Sequence, residues 1–166
     1  MTEENNKAEE TLAPVLNFEE FKAKKGVSNV EEALRLNRLL TQGIAMTDGK
    51  VHYWAYYVLE KLKKFVKAYD SAIKKHKDYI EFNAPENKSM SDAEAKKKFP
   101  EYIDYFESLK ELSVDVEIRP FMAEWAKDNR PAPAITAALI EFGLLDDLAK
   151  LEKWIFEKES KKAEKE

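Results

Sequence analysis

The chain has 166 residues, of which 44% are hydrophobic and 11% aromatic, and it carries a formal net charge of −4. This length and apolar content suit one domain with a substantial core and exclude a globally disordered chain. Four Gly and six Pro are too few for an architecture built on many tight reversals, and the lack of Cys excludes disulfides and thiolate chemistry.

The composition divides the chain into three parts. Residues 1–16 are expected to form a flexible acidic arm, residues 17–156 a single helical domain, and residues 157–166 a charged tail. The N-terminus lacks the apolar region of a secretory signal, and no stretch approaches about 18 uncharged apolar residues. We therefore expect no membrane association and a cytoplasmic protein.

Two helices are predicted ahead of the longest element. Asn17 suits the N-cap of a short helix that Gly26 would end, because glycine readily takes the left-handed conformation there. Ser28 and Glu31 have the spacing of a capping box. They predict a second helix that ends before Gly43.

One unbroken central helix is predicted over about 50–82. Its large apolar residues recur every eleven positions, which is almost three helical turns, so they share one arc of a nearly straight helix. The arc contains Val51, Trp54, Val58, Leu62, Phe65, Tyr69, Ile73, His76 and Ile80. No Gly or Pro interrupts the run, whose length would be about 45 Å at about 1.5 Å per residue. We expect the rest of the chain to pack around this helix.

Shorter elements follow the long helix. Helices are predicted over 92–98 and 100–112, and the second is the expected antiparallel partner of the long helix. Residues 114–118 alternate apolar and charged side chains, which is typical of a half-buried strand, but no second strand is evident. We interpret them as an extended connector, with edge or intermolecular pairing left open. Helices over 120–156 would form a small C-terminal cap, so the predicted fold is all-α, a helical hairpin or bundle.

No residue pattern is typical of a metal, cofactor or catalytic site. His52 and His76 would lie about 36 Å apart along one helix, so they cannot share a metal within the chain. The adjacent Asp146 and Asp147 are explained by a helix N-terminus, where negative charge is favourable. Phosphate-binding glycine loops and nucleophile elbows are absent. We expect no cofactor and no enzymatic activity, and a helical-bundle enzyme is kept as a second alternative.

The predicted long helix is basic although the chain is acidic. Between residues 50 and 80, eight Lys accompany three acidic residues. On a helical wheel five of these Lys lie away from the apolar arc. The candidate anion-binding or nucleic-acid face consists of Lys63, Lys64, Lys67, Lys74 and Lys75. The competing interpretation is a solvated face, and the overall acidity, the few Arg and the missing nucleic-acid motif favour it.

Aromatic residues crowd the first two turns of the same helix. Core packing suits Trp54 best. Tyr53, Tyr56 and Tyr57 are candidates for a protein interface, because Tyr buries apolar area while keeping a polar hydroxyl. For Tyr53 and Tyr56, plain exposure is an equally good interpretation.

Five segments occur in a fixed order, namely Leu34–Leu40, Trp54–Ile80, Phe106–Leu112, Val114–Ile118 and Ile135–Leu145. This order resembles a family of small bacteriophage-encoded helical proteins of unassigned function. The resemblance implies a phage origin and a protein-binding role, either in virion assembly or against a host defence protein, with the protein in the host cytoplasm or the virion. It supplies no catalytic residues.

We therefore predict a non-enzymatic protein–protein interaction module. Its partner would be a host or virion protein, and a second copy of the chain is a further candidate. Nucleic-acid binding through the Lys face is the alternative function.

Overall fold

The computed structural model describes residues 26–153, and their regular structure is helical. The predicted arm 1–16, the helix after Asn17 and the tail 157–166 lie outside the described residues. The α-helices are α1 (Val30–Ile44), α2 (Gly49–Lys74), α3 (Tyr79–Phe82), α4 (Asp92–Lys98), α5 (Pro100–Lys110), α6 (Pro133–Glu141) and α7 (148–153). Short 3₁₀ helices cover Pro85–Asn87 and Ala123–Lys127. The all-α prediction is confirmed for this part of the chain.

The start of α1 is capped by Asn29 and Glu32, one residue beyond the predicted Ser28 and Glu31. Asn29 is the N-cap, and its Oδ1 accepts the backbone N–H of Glu32 at 2.8 Å. The Glu32 carboxylate accepts the backbone N–H of Ser28 at 3.0 Å in return. Two amides that lack helical partners are thereby satisfied, so the helix begins at Val30 rather than next to Ser28.

The end of α1 also differs from the prediction, because the helix continues through Gly43 to Ile44. Gly43 is buried, and a Cβ atom placed on it would lie 2.5 Å from Cγ1 of Ile135 on α6. The glycine therefore permits close approach of two helices and does not stop α1.

The long helix is shorter than the predicted 50–82. It ends at Lys74, residues 75–78 form a turn, and α3 follows as a separate single turn of helix. Eight of the nine predicted arc residues are buried or half-buried, but Ile80, beyond the turn, is 84% exposed. The eleven-residue pattern thus identifies the buried face of α2 and fails where the helix ends.

The turn after α2 has a tertiary cause. The ring of His76 lies between Tyr102 and Tyr105 of α5, with both ring-centroid distances at 5.1 Å. Its Nδ1 accepts the backbone N–H of Asp78 at 3.2 Å. Because a side chain satisfies this amide, the helical hydrogen bond that it would otherwise make is dispensable.

The main core lies on both sides of α1. This helix packs against α2 on one side and α6 on the other, whereas α5, the predicted partner of the long helix, packs mainly against α4. The C-terminal part does not form a separate cap, since Phe121, Ile135, Leu139 and Leu148 belong to the same core as α1 and α2. The periodicity of apolar residues predicted the buried faces of helices, but not which helices pack against each other.

The predicted extended segment 114–118 runs along this core. Its three apolar side chains pack against the core, and its two acidic side chains are exposed, as the alternation predicts. Within residues 26–153 no strand forms, and the segment is flanked by two isolated bridges, Asn29 with Ser113 and Phe121 with Leu145.

A second, smaller group of residues, linked by contacts between their rings, lies outside the main core. We call it the aromatic cluster, and it consists of His76, Phe82, Phe99, Tyr102 and Phe106. Its rings touch through centroid distances of 4.7 Å between Phe82 and Tyr102, 5.5 Å between Phe82 and Phe99, and 5.6 Å between Tyr102 and Phe106. The cluster joins the end of α2 to α3, α4 and α5.

Candidate interaction surface

One face of α2 carries exposed side chains along nearly its whole length. We call it the Tyr–Lys stripe, and it consists of Tyr53, Tyr56, Lys63, Lys64, Lys67 and Lys74, all of them exposed. At about 100° per residue they fall within an arc of about 100°, opposite the buried Val58 and Leu62. The stripe extends about 32 Å along the helix axis.

The N-terminal end of the stripe is aromatic. Tyr53 is 74% exposed and Tyr56 is 56% exposed, and Met46, in the turn before α2, is 77% exposed. Tyr57, the third predicted interface residue, is half-buried against the main core, and its hydroxyl accepts the backbone N–H of Arg119 at 3.4 Å. The structure thus leaves Tyr53 and Tyr56 available and uses Tyr57 largely within the chain.

The connector closes one flank of α2. Trp54 is buried, as predicted, and its Nε1 donates to the carbonyl oxygen of Arg119 at 2.9 Å. Lys61 donates to the carbonyl oxygen of Glu117 at 2.9 Å. These contacts attach the segment 114–119 to α2, so the stripe is the face of the helix that remains open.

The C-terminal end of the stripe is basic. All five predicted Lys are exposed, including Lys75, which follows the last residue of α2. Glu60 is 3.9 Å from Lys63, and Lys64 lies 4.9 Å from the ring centre of Phe65. An exposed ion pair at this separation stabilises little, so the positive charge remains available to a partner.

Three residues that the sequence favoured as structural rather than catalytic or metal-binding, Asp146, Asp147 and His76, have structural roles. Asp147 accepts the backbone N–H of Lys150 at 3.1 Å and caps α7, as predicted for a helix N-terminus. Asp146 accepts the backbone N–H of Ala123 at 2.7 Å and joins two loops. His76 belongs to the aromatic cluster. Among residues 26–153, no group of three or more His, Asp or Glu could hold a metal ion.

None of the helices in the described part of the chain combines the length and the apolarity that crossing a bilayer requires.

A cleft of about 600 Å³, which the sequence did not predict, lies beside the aromatic cluster. Its apolar lining is formed by Phe82, Met90, Ala95, Ile103 and Phe106. Its charged lining is formed by Lys88, Lys96, Lys110, Asp92 and Glu107. The concentration of aromatic residues between 99 and 106 was the sequence feature that could have indicated this region. That signal could not show that α3, α4 and α5 surround one space.

Tyr102 provides a test of the aromatic cluster through pH. Burial raises the pKa of Tyr102, the nearby Tyr79 adds to the rise, and a hydrogen bond with Asn83 lowers it in part. A folded-state pKa above the unfolded value of about 10 means that folding retains the proton. This stabilisation is complete below about pH 10 and is lost as the pH rises through the folded-state pKa.

We therefore expect the free energy of unfolding, measured with urea between pH 8 and pH 11, to fall above pH 10. The fall should be smaller in Tyr102→Phe. It should not vanish, because burial also raises the pKa of Tyr69, and pairing with Glu101 raises the pKa of Lys77. Parallel curves for the variant and the wild-type protein would contradict the assignment.

Comparison of the chain with models of protein families, with curated proteins and with solved structures found no match in any of the three.

Proposed function

We propose that the protein is an interaction module that docks the Tyr–Lys stripe onto an acidic protein surface with an apolar pocket. The observation that carries the proposal is that two exposed Tyr and four exposed Lys share one solvent-facing arc of α2, on which Glu60 is the one exposed carboxylate. Exposed aromatic patches with a polar surround are typical of protein interfaces.

The two ends of the stripe would contribute differently to binding. Tyr53 and Tyr56 would be the anchors, since buried Tyr residues are frequent hot spots. The Lys end would attract an acidic partner, and complementary charge mainly raises the association rate. The partner is therefore expected to carry Asp and Glu beside the pocket that receives the Tyr rings.

The main core holds the stripe in place before binding. Val51, Val58 and Leu62, on the opposite face of α2, have no exposed surface. Docking would then require ordering of side chains but not of the backbone, which keeps the entropy cost of association low.

The proposal includes a phage origin and two settings in which such a module would act. In virion assembly the partner would be a structural protein, and the gene would stand beside tail and capsid genes. In inhibition of a host defence protein the partner would be cytoplasmic, and the gene would belong to an early-expressed cluster.

A photo-crosslinking amino acid at position 53 or 56, in cells that naturally make the protein, is expected to capture one protein. The same group at Arg38, exposed on α1, should not capture it. With the captured partner purified, Tyr53→Ser together with Tyr56→Ser should weaken the dissociation constant at least about 30-fold, equivalent to about 2 kcal/mol. Calorimetric titration measures this change.

The matched control replaces two exposed apolar residues outside the stripe, Ile80→Ser with Leu112→Ser, which are 84% and 56% exposed. This control should bind within about twofold of the wild-type protein. Equal losses in both double variants would contradict the proposal. Capture of a second copy would reassign the stripe to self-association. Capture of nucleic acid alone, with affinity falling steeply between about 50 and 200 mM salt, would replace the proposal with the Lys-face alternative.

A further inference from the structure

We propose that the cleft between α3, α4 and α5 binds a small organic anion with an aromatic or similarly flat apolar body. The cleft is lined by none of the residues of the Tyr–Lys stripe, so ligand binding there does not rest on the docking proposal. A volume of about 600 Å³ lies in the range of small-molecule sites, which is roughly 300–1,000 Å³.

The apolar lining of the cleft suits a flat ring. Phe82 and Phe106 both line the space and are only half-buried, so part of each ring is open to it. Ile103, which is buried, lies with them in the lining. An aromatic ligand would cover this surface through stacked or edge contacts, which contribute beyond area burial.

The apolar lining is held in place from behind. Phe82 and Phe106 each contact the buried ring of Tyr102, at 4.7 Å and 5.6 Å between centroids, and Phe82 also contacts Phe99. These contacts restrict both rings without a ligand. The site is therefore largely formed before binding, which reduces the ordering cost.

Asn87 fixes the loop that forms another wall. It is buried, and its Nδ2 donates to the carbonyl oxygen of Glu81 at 2.7 Å. Its Oδ1 accepts a hydrogen bond from Lys98 at 2.8 Å. Asn83, also in the lining, donates to the carbonyl oxygen of Tyr79 at 2.8 Å. Because the side-chain amides of Asn83 and Asn87 already make hydrogen bonds within the chain, selection among polar ligands would depend on the charged side chains.

The charged lining favours a single negative charge. The lining contains three Lys, namely Lys88, Lys96 and Lys110, and two acidic residues, Asp92 and Glu107, so its formal net charge is +1. The Lys110 ammonium lies 5.2 Å from the ring centre of Phe106, so one positive charge stands next to the aromatic surface. A carboxylate or phosphate attached to an aromatic ring would place its charge and its ring against these two neighbours at once.

The test titrates 2-naphthoate into the ¹⁵N-labelled full-length protein and follows amide chemical shifts. We expect shifts confined to residues 79–110, and binding of neutral 2-naphthamide at least about fivefold weaker. The double variant Lys96→Glu with Lys110→Glu should weaken naphthoate binding about tenfold. The neutral variant Lys96→Gln with Lys110→Gln should lie between it and the wild-type protein.

The matched control is Lys50→Glu with Lys97→Glu, which makes the same charge change at exposed positions outside the lining. It should bind within about twofold of the wild-type protein. No shifts up to about 1 mM naphthoate, or shifts centred on α1 and α6, would overturn the proposal. Equal binding of the acid and the amide would overturn the assignment of an anion. Equal weakening in both charge-reversal variants would assign the effect to net charge and would likewise refute the site.

Discussion

Replacing Phe121 by Ala is expected to lower the free energy of unfolding by about 3–5 kcal/mol. The side chain is fully buried, and its ring meets Trp54 at 5.5 Å and Trp125 at 5.3 Å, both edge to face. Its backbone N–H donates to Leu144 at 2.7 Å, and its carbonyl accepts the N–H of Asp146 at 3.1 Å. Truncation would therefore open a cavity where the connector, α2 and the C-terminal part meet.

The measurement is urea unfolding at pH 7 and 25 °C, followed by far-ultraviolet circular dichroism. The control is Met122→Ala at the next residue, which is exposed and should change stability by about 0.5 kcal/mol or less. A loss of this size is a large fraction of the total stability of a domain, which is about 5–15 kcal/mol. A loss below about 1 kcal/mol would show that Phe121 does not hold these parts together.

Replacing Gly43 by Ala is expected to destabilise the protein by about 1–2 kcal/mol in total. Alanine favours helix over glycine by about 1 kcal/mol, so intrinsic propensity alone predicts stabilisation. The added Cβ would lie 2.5 Å from Cγ1 of Ile135 and 3.3 Å from its backbone nitrogen. Overpacking a core costs about 1–3 kcal/mol, and the upper part of this range, about 2–3 kcal/mol, applies here because Ile135 is fully buried and cannot move aside cheaply. Subtracting the gain of about 1 kcal/mol in helix propensity leaves the net loss of about 1–2 kcal/mol.

A double-mutant cycle separates the steric conflict from other effects of the Gly43 substitution. Ile135→Ala removes the conflicting atom but leaves a cavity, which alone costs about 2–5 kcal/mol. The double variant should be more stable than the sum of the single losses predicts, by about 1 kcal/mol. Gln42→Ala, at the neighbouring exposed position, is the control and should change stability by less than about 0.5 kcal/mol. Additive losses would mean that α1 and α6 can separate freely.

The sequence was sufficient to predict features that depend on one element alone and on which of its faces is buried. The buried face of α2 followed from periodicity, since residues such as Val58 and Leu62 recur at helical spacing. The alternation of apolar and charged residues at 114–118 likewise predicted an extended segment with one buried face. The burial of Trp54 also followed from the sequence, but its hydrogen bond to Arg119 depends on a segment 65 residues away.

Features that depend on residues far apart in the sequence were predicted wrongly or were not predicted. Gly43 looks like a helix stop locally, and only the position of Ile135 reveals its role. The turn at 75–78 contains no Gly or Pro that would predict it, and it is accompanied by contacts of His76 with two rings of α5. The cleft requires three short helices to surround one space. The stripe was only partly predicted, since the connector that covers Tyr57 could not be placed from sequence.

The separation of the aromatic cluster from the main core has a consequence for how the protein can evolve. The fully buried residues of α2 all precede Lys63, and beyond it the half-buried Phe65 and Tyr69 complete the contact of this helix with the main core. Most of the main core is therefore remote in the chain from Phe82 and Phe106. Substitutions in residues 79–110 of related chains are therefore expected to leave the packing of the main core largely unchanged. Among such relatives, we expect amino-acid variation to be greatest in residues 79–110 and smallest where α1 packs against α6.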